Sequence, residues 1–311
     1  MRNKLITILT PCFNEAGNVT ELHAQVSAVM ATQAGYDYQH VFIDNASEDG
    51  TVAELRQLAG SHPGVKVIVN ARNFGHVRSP FYGMLQVSGD AVIVVAADFQ
   101  DPPELIASFI SLWESGHEVV LGEKVNSKET KVFFWLRRAY YRIVKRLADV
   151  DLLENVTGVG LYDRKIIEVF RSLEDPYPYV RGLVTELGCN VARVPYEQPA
   201  RERGLSKNNF YTLYDVAMLG ITSHSKVPLR LATMLGFAAS ALSFVVGLAY
   251  LVYKLFWWDR FALGMAPVVI GLFFFASVQL FFIGIVGEYI GSIHTRVTKR
   301  PLVIERERIN F

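Results

Sequence analysis

Four short polar stretches carry the residues that could do chemistry. Residues 11–15 read P-C-F-N-E, 44–51 read D-N-A-S-E-D-G-T, 71–76 read A-R-N-F-G-H and 97–103 read A-D-F-Q-D-P-P. Asp98, with Gln100 and Asp101 nearby, supplies the hard oxygen ligands that Mg²⁺ or Mn²⁺ prefers when it shares a substrate phosphate. Asp101 has an equally good structural reading, as the cap of a helix opened by Pro102 and Pro103. Asp98 follows an apolar run directly and is the better ligand. The chain has no G-x-G-x-x-G turn after a strand and no G-x-x-x-x-G-K-[ST] loop, which excludes the usual dinucleotide and phosphate-loop sites. Taken singly, each stretch is ordinary turn and cap chemistry.

Their weight comes from the elements that precede them. Candidate strands lie at 5–10, 40–43, 65–69, 91–96 and 118–121, and helical patterns near 17–33, 51–60, 76–87 and 103–116. That alternation predicts βαβ units and a largely parallel sheet. Each polar stretch then falls just beyond the carboxyl end of a strand, where ligands bind in such sheets. A shared small-molecule site on one rim is the expectation.

Composition narrows the class. Thirty-one Lys and Arg balance 30 Asp and Glu, for a net charge of +1, so there is no basic excess for nucleic-acid phosphate. Two cysteines, Cys12 and Cys189, form neither a disulfide framework nor a spaced zinc motif, which fits a reducing compartment for the soluble part. At 311 residues the chain is long enough for two domains, or one α/β domain with an appendage.

The appendage is apolar. Residues 231–253 and 261–287 contain no charged side chain, and each run exceeds the roughly 20 residues needed to cross a bilayer. Lys226 and Arg230 precede the first run, and Arg296, Lys299, Arg300, Arg306 and Arg308 follow the second. The loop between holds only Asp259 and Arg260, so the positive-inside rule places both ends in the cytoplasm. The apolar stretch at 5–9 is stopped by Pro11 and reads as a strand, not a signal peptide. Residues 128–148 hold seven basic residues and one acidic one, with Phe133, Leu136, Tyr140, Ile143 and Leu147 at roughly helical spacing. Such a helix suits the headgroup zone, with Arg137, Arg138 and Arg142 meeting lipid phosphate. Residues 208–222 form a second interfacial candidate.

The ordered set P-C-F-N-E (11–15), I-D-N-A-S-E-D-G-T (43–51), R-N-F-G-H (72–76), A-D-F-Q-D-P-P (97–103), R-E-R-G-L-S-K (201–207) and G-E-Y-I-G (287–291) spans nearly the whole chain. It resembles family 2 glycosyltransferases with a GT-A fold, and most closely the polyprenyl-phosphate glycosyltransferases. The resemblance implies a Rossmann-like α/β domain over 1–225, a two-helix transmembrane domain over 226–290 and a basic cytoplasmic tail over 291–311. It implies a nucleotide pocket lined by Pro11, Phe13, Asn14, Glu15, Asp44, Asn45, Ser47, Asn73, Gly75, Lys124 and Ser206. Asp98 and Gln100 would hold a divalent cation, Mg²⁺ or Mn²⁺, and Asp98, Arg201 and Lys207 would be catalytic, the last two on a loop closing over the phosphates.

Two positions depart from the family pattern. Ala96 stands where an aspartate is common, and Asn45 occupies the second acidic position of the D-D-G-S pattern, leaving one carboxylate fewer near the metal. The implied activity is inverting transfer of a sugar from a nucleotide-sugar, a UDP-sugar by expectation, to undecaprenyl phosphate. The implied partners are the lipid bilayer and a homo-oligomer, with no nucleic acid, and the implied setting is the cytoplasmic face of a bacterial inner membrane. A lipid phosphate, with a second pKa near 6, is already an anionic nucleophile and needs no strong base. Ala96 and Asn45 also admit a non-catalytic, sugar-nucleotide-binding scaffold.

Overall fold

In the computed structural model, the described residues are 3–125, 156–176, 178–199, 218, 226–257, 265–298 and 300–311. The expected alternation is present. β1 (Lys4–Cys12), α1 (Val19–Ala31), β2 (Tyr36–Asp44), α2 (Thr51–Ser61), β3 (Val65–Asn70), α3 (Gly75–Gln86), β4 (Ala91–Val94), α4 (Leu105–Glu114) and β5 (Val119–Lys124) follow one another. Then come β6 (Val156–Asp163), α5 (Arg164–Leu173), α6 (Val180–Glu186) and β7 (Val191–Tyr196). Two long helices, α7 (Val227–Phe256) and α8 (Met265–Val297), precede β8 (Glu305–Ile309).

The strands form one eight-stranded sheet in the order β7-β5-β6-β4-β1-β2-β3-β8. β1 pairs in parallel with both β2 and β4, and β2 with β3. β6 runs antiparallel between β4 and β5, and β8 runs antiparallel along β3. The fold is thus the mixed, mostly parallel α/β sheet of the GT-A type. The chain moves outward from β1 to β3 and then returns to β4 on the other side of β1. That reversal opens a crevice at the carboxyl ends of β1 and β4, the switch point where ligands bind.

Alternate residues of each strand feed two cores. Ile6, Ile8, Phe42, Val67 and Val69 pack with Leu22 and Val26 of α1, Leu55 of α2 and Phe109 of α4. Leu9, Val41, Ile43 and Ile68 pack with Phe81 and Met84 of α3 and Ile167 and Phe170 of α5. Burial of each large apolar side chain contributes roughly 1.5–3 kcal/mol, so this double layer holds the rim rigid. α5 is tied down at its start, where Asp163 accepts from the Lys165 amide at 2.8 Å and from Trp113 Nε1 at 2.7 Å.

Residues 227–253 and 270–297, within α7 and α8, are apolar enough to cross a bilayer, and their side chains are exposed along most of their length. Phe237, Phe244 and Phe273 are each at least two-thirds exposed, which no aqueous core helix tolerates in such number. The two helices contact each other as a hairpin. The stretch read as a basic tail instead re-enters the domain: Val303 is buried, Leu302 packs on the core, and residues 305–309 become a strand. The second helix also runs seven residues past the expected limit of 290, to Val297.

Candidate active site

The rim is built from three tight loops, each with a non-glycine residue in the left-handed region. Asn14 follows β1 (φ 57°), Ala46 follows β2 (φ 63°) and Phe99 follows β4 (φ 55°). Such conformations cost on the order of 1 kcal/mol each and persist where surrounding contacts impose them, commonly at functional sites.

The contacts are specific. The Asn14 amide donates to Ser47 Oγ at 2.8 Å, and Asn14 Oδ1 accepts from the Glu48 amide at 2.9 Å. The Glu15 amide donates to Thr51 Oγ1 at 2.9 Å, and its carboxylate accepts from Asn18 Nδ2 at 2.6 Å. Asp44 is fully buried and accepts from both the amide and the hydroxyl of Ser47. Burial raises the Asp44 pKa, opposed by the Ser47 hydrogen bonds and by the charge of Arg306. Asp44 is therefore the floor of the pocket, held under its loop. Pro11, in β1, and Phe13 are half-buried beside it.

Asn45 does not face the metal side of the rim. Its Oδ1 accepts from Asn70 Nδ2 at 3.1 Å and the Phe74 amide at 2.9 Å. Its Nδ2 donates to Asn73 Oδ1 at 2.9 Å and the Gly75 carbonyl at 3.3 Å. A carboxylate could accept the first pair but could not donate the second. The expected missing carboxylate at 45 is a clip between the loops after β2 and β3. Asn73 also accepts from the Gly75 amide at 2.8 Å, shaping the start of α3, where Gly75 itself has φ 87°.

Across the crevice, Asp98 is half-buried, and its Oδ1 accepts from the Gln100 amide at 3.3 Å. Asp101 does not cap α4, whose first residues are bonded to the carbonyls of Pro102 and Pro103. It is instead buried, with Oδ1 accepting from the Tyr196 hydroxyl at the end of β7. Burial pushes its pKa up to about 6; the Tyr196 bond and Lys124 lower it while Asp98 raises it. Asp98, Asp101 and Lys124 are thus neighbours, with Lys124 at the end of β5. Among the described residues, no group of three or more His, Cys, Asp or Glu side chains is gathered for a metal. Asp98 with the Gln100 amide oxygen is nevertheless a hard-oxygen pair of the kind that holds Mg²⁺ or Mn²⁺ when substrate phosphates complete the shell.

The structure thus brings together Pro11, Phe13, Asn14, Glu15, Asp44, Asn45, Ser47, Asn73 and Gly75 on one side of the rim, and Asp98, Gln100 and Lys124 on the other. Arg137, Arg138, Arg142, Arg201, Ser206 and Lys207, and the interfacial stretches 128–148 and 208–222, lie outside the described residues. Two cations at the rim have no motif to announce them. Arg181, in α6, stands near His76 and, after burial, helps hold its pKa down. Arg306, in β8, stands near Asp44.

The pattern of glycosyl transferase family 2 matches residues 7–170, and that of the GtrB C-terminal hairpin matches 227–293. An uncharacterized glycosyltransferase of Bacillus subtilis, YkcC, is 33% identical over 96% of this chain and 92% of its own. A prophage-derived bactoprenol glucosyl transferase of Shigella flexneri is 31% identical over 96% of both chains. Among solved structures, a mannosyltransferase of Pyrobaculum calidifontis in complex with GDP-Man and Mn²⁺ covers 96% of this chain and 88% of its own, with TM-score 0.46 and 16% identity. With the family pattern matched over more than half the chain and its relatives alike over 96% of it, this chain belongs to glycosyl transferase family 2, as a bactoprenol glucosyl transferase-like member.

Proposed function

We propose that the protein transfers a sugar from a nucleotide-sugar to undecaprenyl phosphate at the cytoplasmic face of the membrane, with inversion at the anomeric carbon. The observation that carries this reading is the join between the two halves. β8 belongs to the same sheet as β1, so the chain leaves the domain, runs through two lipid-length helices and returns to the same side. An even number of crossings keeps the rim on one face of the bilayer, where a lipid-borne acceptor can reach it. The hairpin also reaches the domain directly: Arg296 at the end of α8 meets Asp175 at 3.8 Å.

The chemistry follows from charge. The acceptor phosphate oxygen attacks the anomeric carbon in line; a carbon–oxygen bond to the lipid phosphate forms as the bond to the nucleoside diphosphate breaks. No proton need be removed from an acceptor that is already ionised. The obstacle is repulsion between two phosphate groups, which Lys124 on the rim and Arg137, Arg201 and Lys207 would screen. Asp98 and Gln100 would hold a divalent cation on the donor diphosphate, which would supply charge neutralisation for the leaving group. Buried Asp44, bonded to half-buried Ser47, and the Asn45 clip keep the donor loops in one shape.

The test is direct. Full-length protein in detergent or vesicles, given undecaprenyl phosphate and a panel of nucleotide-sugars, should release nucleoside diphosphate and form a lipid-linked sugar from at least one donor. Absence of both products across the panel overturns the proposal.

A further inference from the structure

The rim has a component that arrives from beyond the membrane helices. Across three strand pairs the register reads Cys12 beside Asp44, Asp44 beside Val69 and Val69 beside Glu307. One step further toward the rim, Asn70 pairs with Glu305, so the register skips Arg306. A bulge of this kind bends the strand and re-aims a side chain, and bulges are over-represented beside active sites.

The residues around the bulge are all anchored. The Ala71 amide donates to the Ile304 carbonyl at 2.8 Å. Glu305 accepts from Tyr82 at 2.8 Å, and Arg308 holds Glu305 at 2.6 Å and Gln86 at 2.5 Å. Glu307 holds Arg56 of α2 at 2.5 Å. Among the charged residues of this strand, Arg306 alone forms no side-chain hydrogen bond to another described residue; it is exposed, and its charge helps lower the pKa of neighbouring Glu307. Its charge is felt at buried Asp44 across β3.

Resting on the function proposed above, we propose that Arg306 is a donor-binding residue whose guanidinium takes the nucleoside end of the nucleotide-sugar. The placement of the two ends decides which part it meets. Asp98, where the diphosphate would lie, follows β4; β3 is three strand spacings away, roughly 14 Å, and β8, which carries Arg306, is one spacing beyond it. That is the scale of an extended nucleoside diphosphate, so its base and ribose fall at the β2–β3–β8 side of the rim. A planar guanidinium there can stack on a base or donate a fork of hydrogen bonds to its carbonyl and ring acceptors. The strand that follows the membrane hairpin then completes the donor pocket.

The experiment is nucleotide titration by calorimetry on the full chain in detergent, without turnover. UDP, GDP, ADP and dTDP are the probes, followed by the monophosphate of whichever binds best. Arg306→Ala should weaken the diphosphate and the monophosphate alike, by about tenfold or more, and raise the donor KM with little change in the KM for undecaprenyl phosphate. Arg308→Ala, on the same strand but turned to Gln86 and Glu305, controls for loss of the strand and should keep nucleotide affinity. Unchanged affinity in Arg306→Ala overturns the inference alone, as does an equal loss in Arg308→Ala. A loss confined to the diphosphate overturns the assignment to the nucleoside. A wild-type protein that binds none of the four overturns this inference and the proposed function together.

Discussion

His23 and His40 are joined Nδ1 to Nδ1 at 3.0 Å inside the domain, so a single proton serves two rings. One ring must accept and is therefore neutral. His40 is fully buried, stacks on Phe42 and contacts Thr10 Oγ1 at 2.9 Å through Nε2. Burial, then mutual repulsion, lowers the pKa of His40 well below its ordinary value, and His23 is lowered by burial and by His62. The unfolded chain takes up protons near pH 6.5 where the folded one does not. Stability is therefore full above that pH and declines as pH falls below it, by up to about 1.4 kcal/mol per pH unit for each ring kept neutral. Melting from pH 7.5 to 5.5 should show this decline, and His40→Gln should be less stable at pH 7.5 but flatter with pH. Equal slopes in the two proteins would rule the histidine pair out as the cause.

Asn45→Asp, which restores the family's acidic residue, should cost the fold rather than help the chemistry. It replaces two donated hydrogen bonds, to Asn73 and Gly75, with a carboxylate facing two acceptors. The expected loss is about 2 kcal/mol or more, read as a drop in Tm. An unchanged Tm, or a gain in turnover, would show that the clip is unimportant.

Tyr196→Phe removes the hydroxyl that donates to buried Asp101 and links β7 to the loop after β4. Leaving that carboxylate unpaired should destabilise the domain by about 1–3 kcal/mol. Chemical denaturation of the variant measures it; Tyr196→Phe with wild-type stability would mean that water replaces the phenol without cost.

Asp98→Ala and Lys207→Ala should leave Tm within a degree or two and cut turnover by about 100-fold or more, the scale of losing one electrostatic group at a reacting centre. A non-catalytic scaffold would show no turnover to lose while still binding nucleotide. Parallel melting and product-release assays separate the two.

Much of this was legible in the residues, for reasons that also explain the rest. β1 to β5 are interior or near-interior strands, so they read as apolar runs closed by turn formers, and the site stretches followed from their ends. β7 (VARVPY) lies on a sheet edge with alternate residues half-exposed, and β6 (VTGVGLYD) contains glycine where β5 approaches closely; neither has a clean period. β8 (ERERI) offers the core only Ile309. Glu305, Glu307 and Arg308 are satisfied by Tyr82, Arg56 and Gln86, more than 200 positions earlier, which no local pattern reveals. The same distance hid Arg306. Asn45 was legible as a departure, but its role depended on knowing that 70, 73 and 75 converge on it.

β8 also fixes an order of events. It follows both apolar helices in the chain, so during synthesis β3 waits with an open edge while some 240 further residues emerge and the hairpin passes to the bilayer. The ribosome must deliver the membrane segment before the sheet can close. The β3 edge of the sheet is thus completed by a strand made only after both apolar helices.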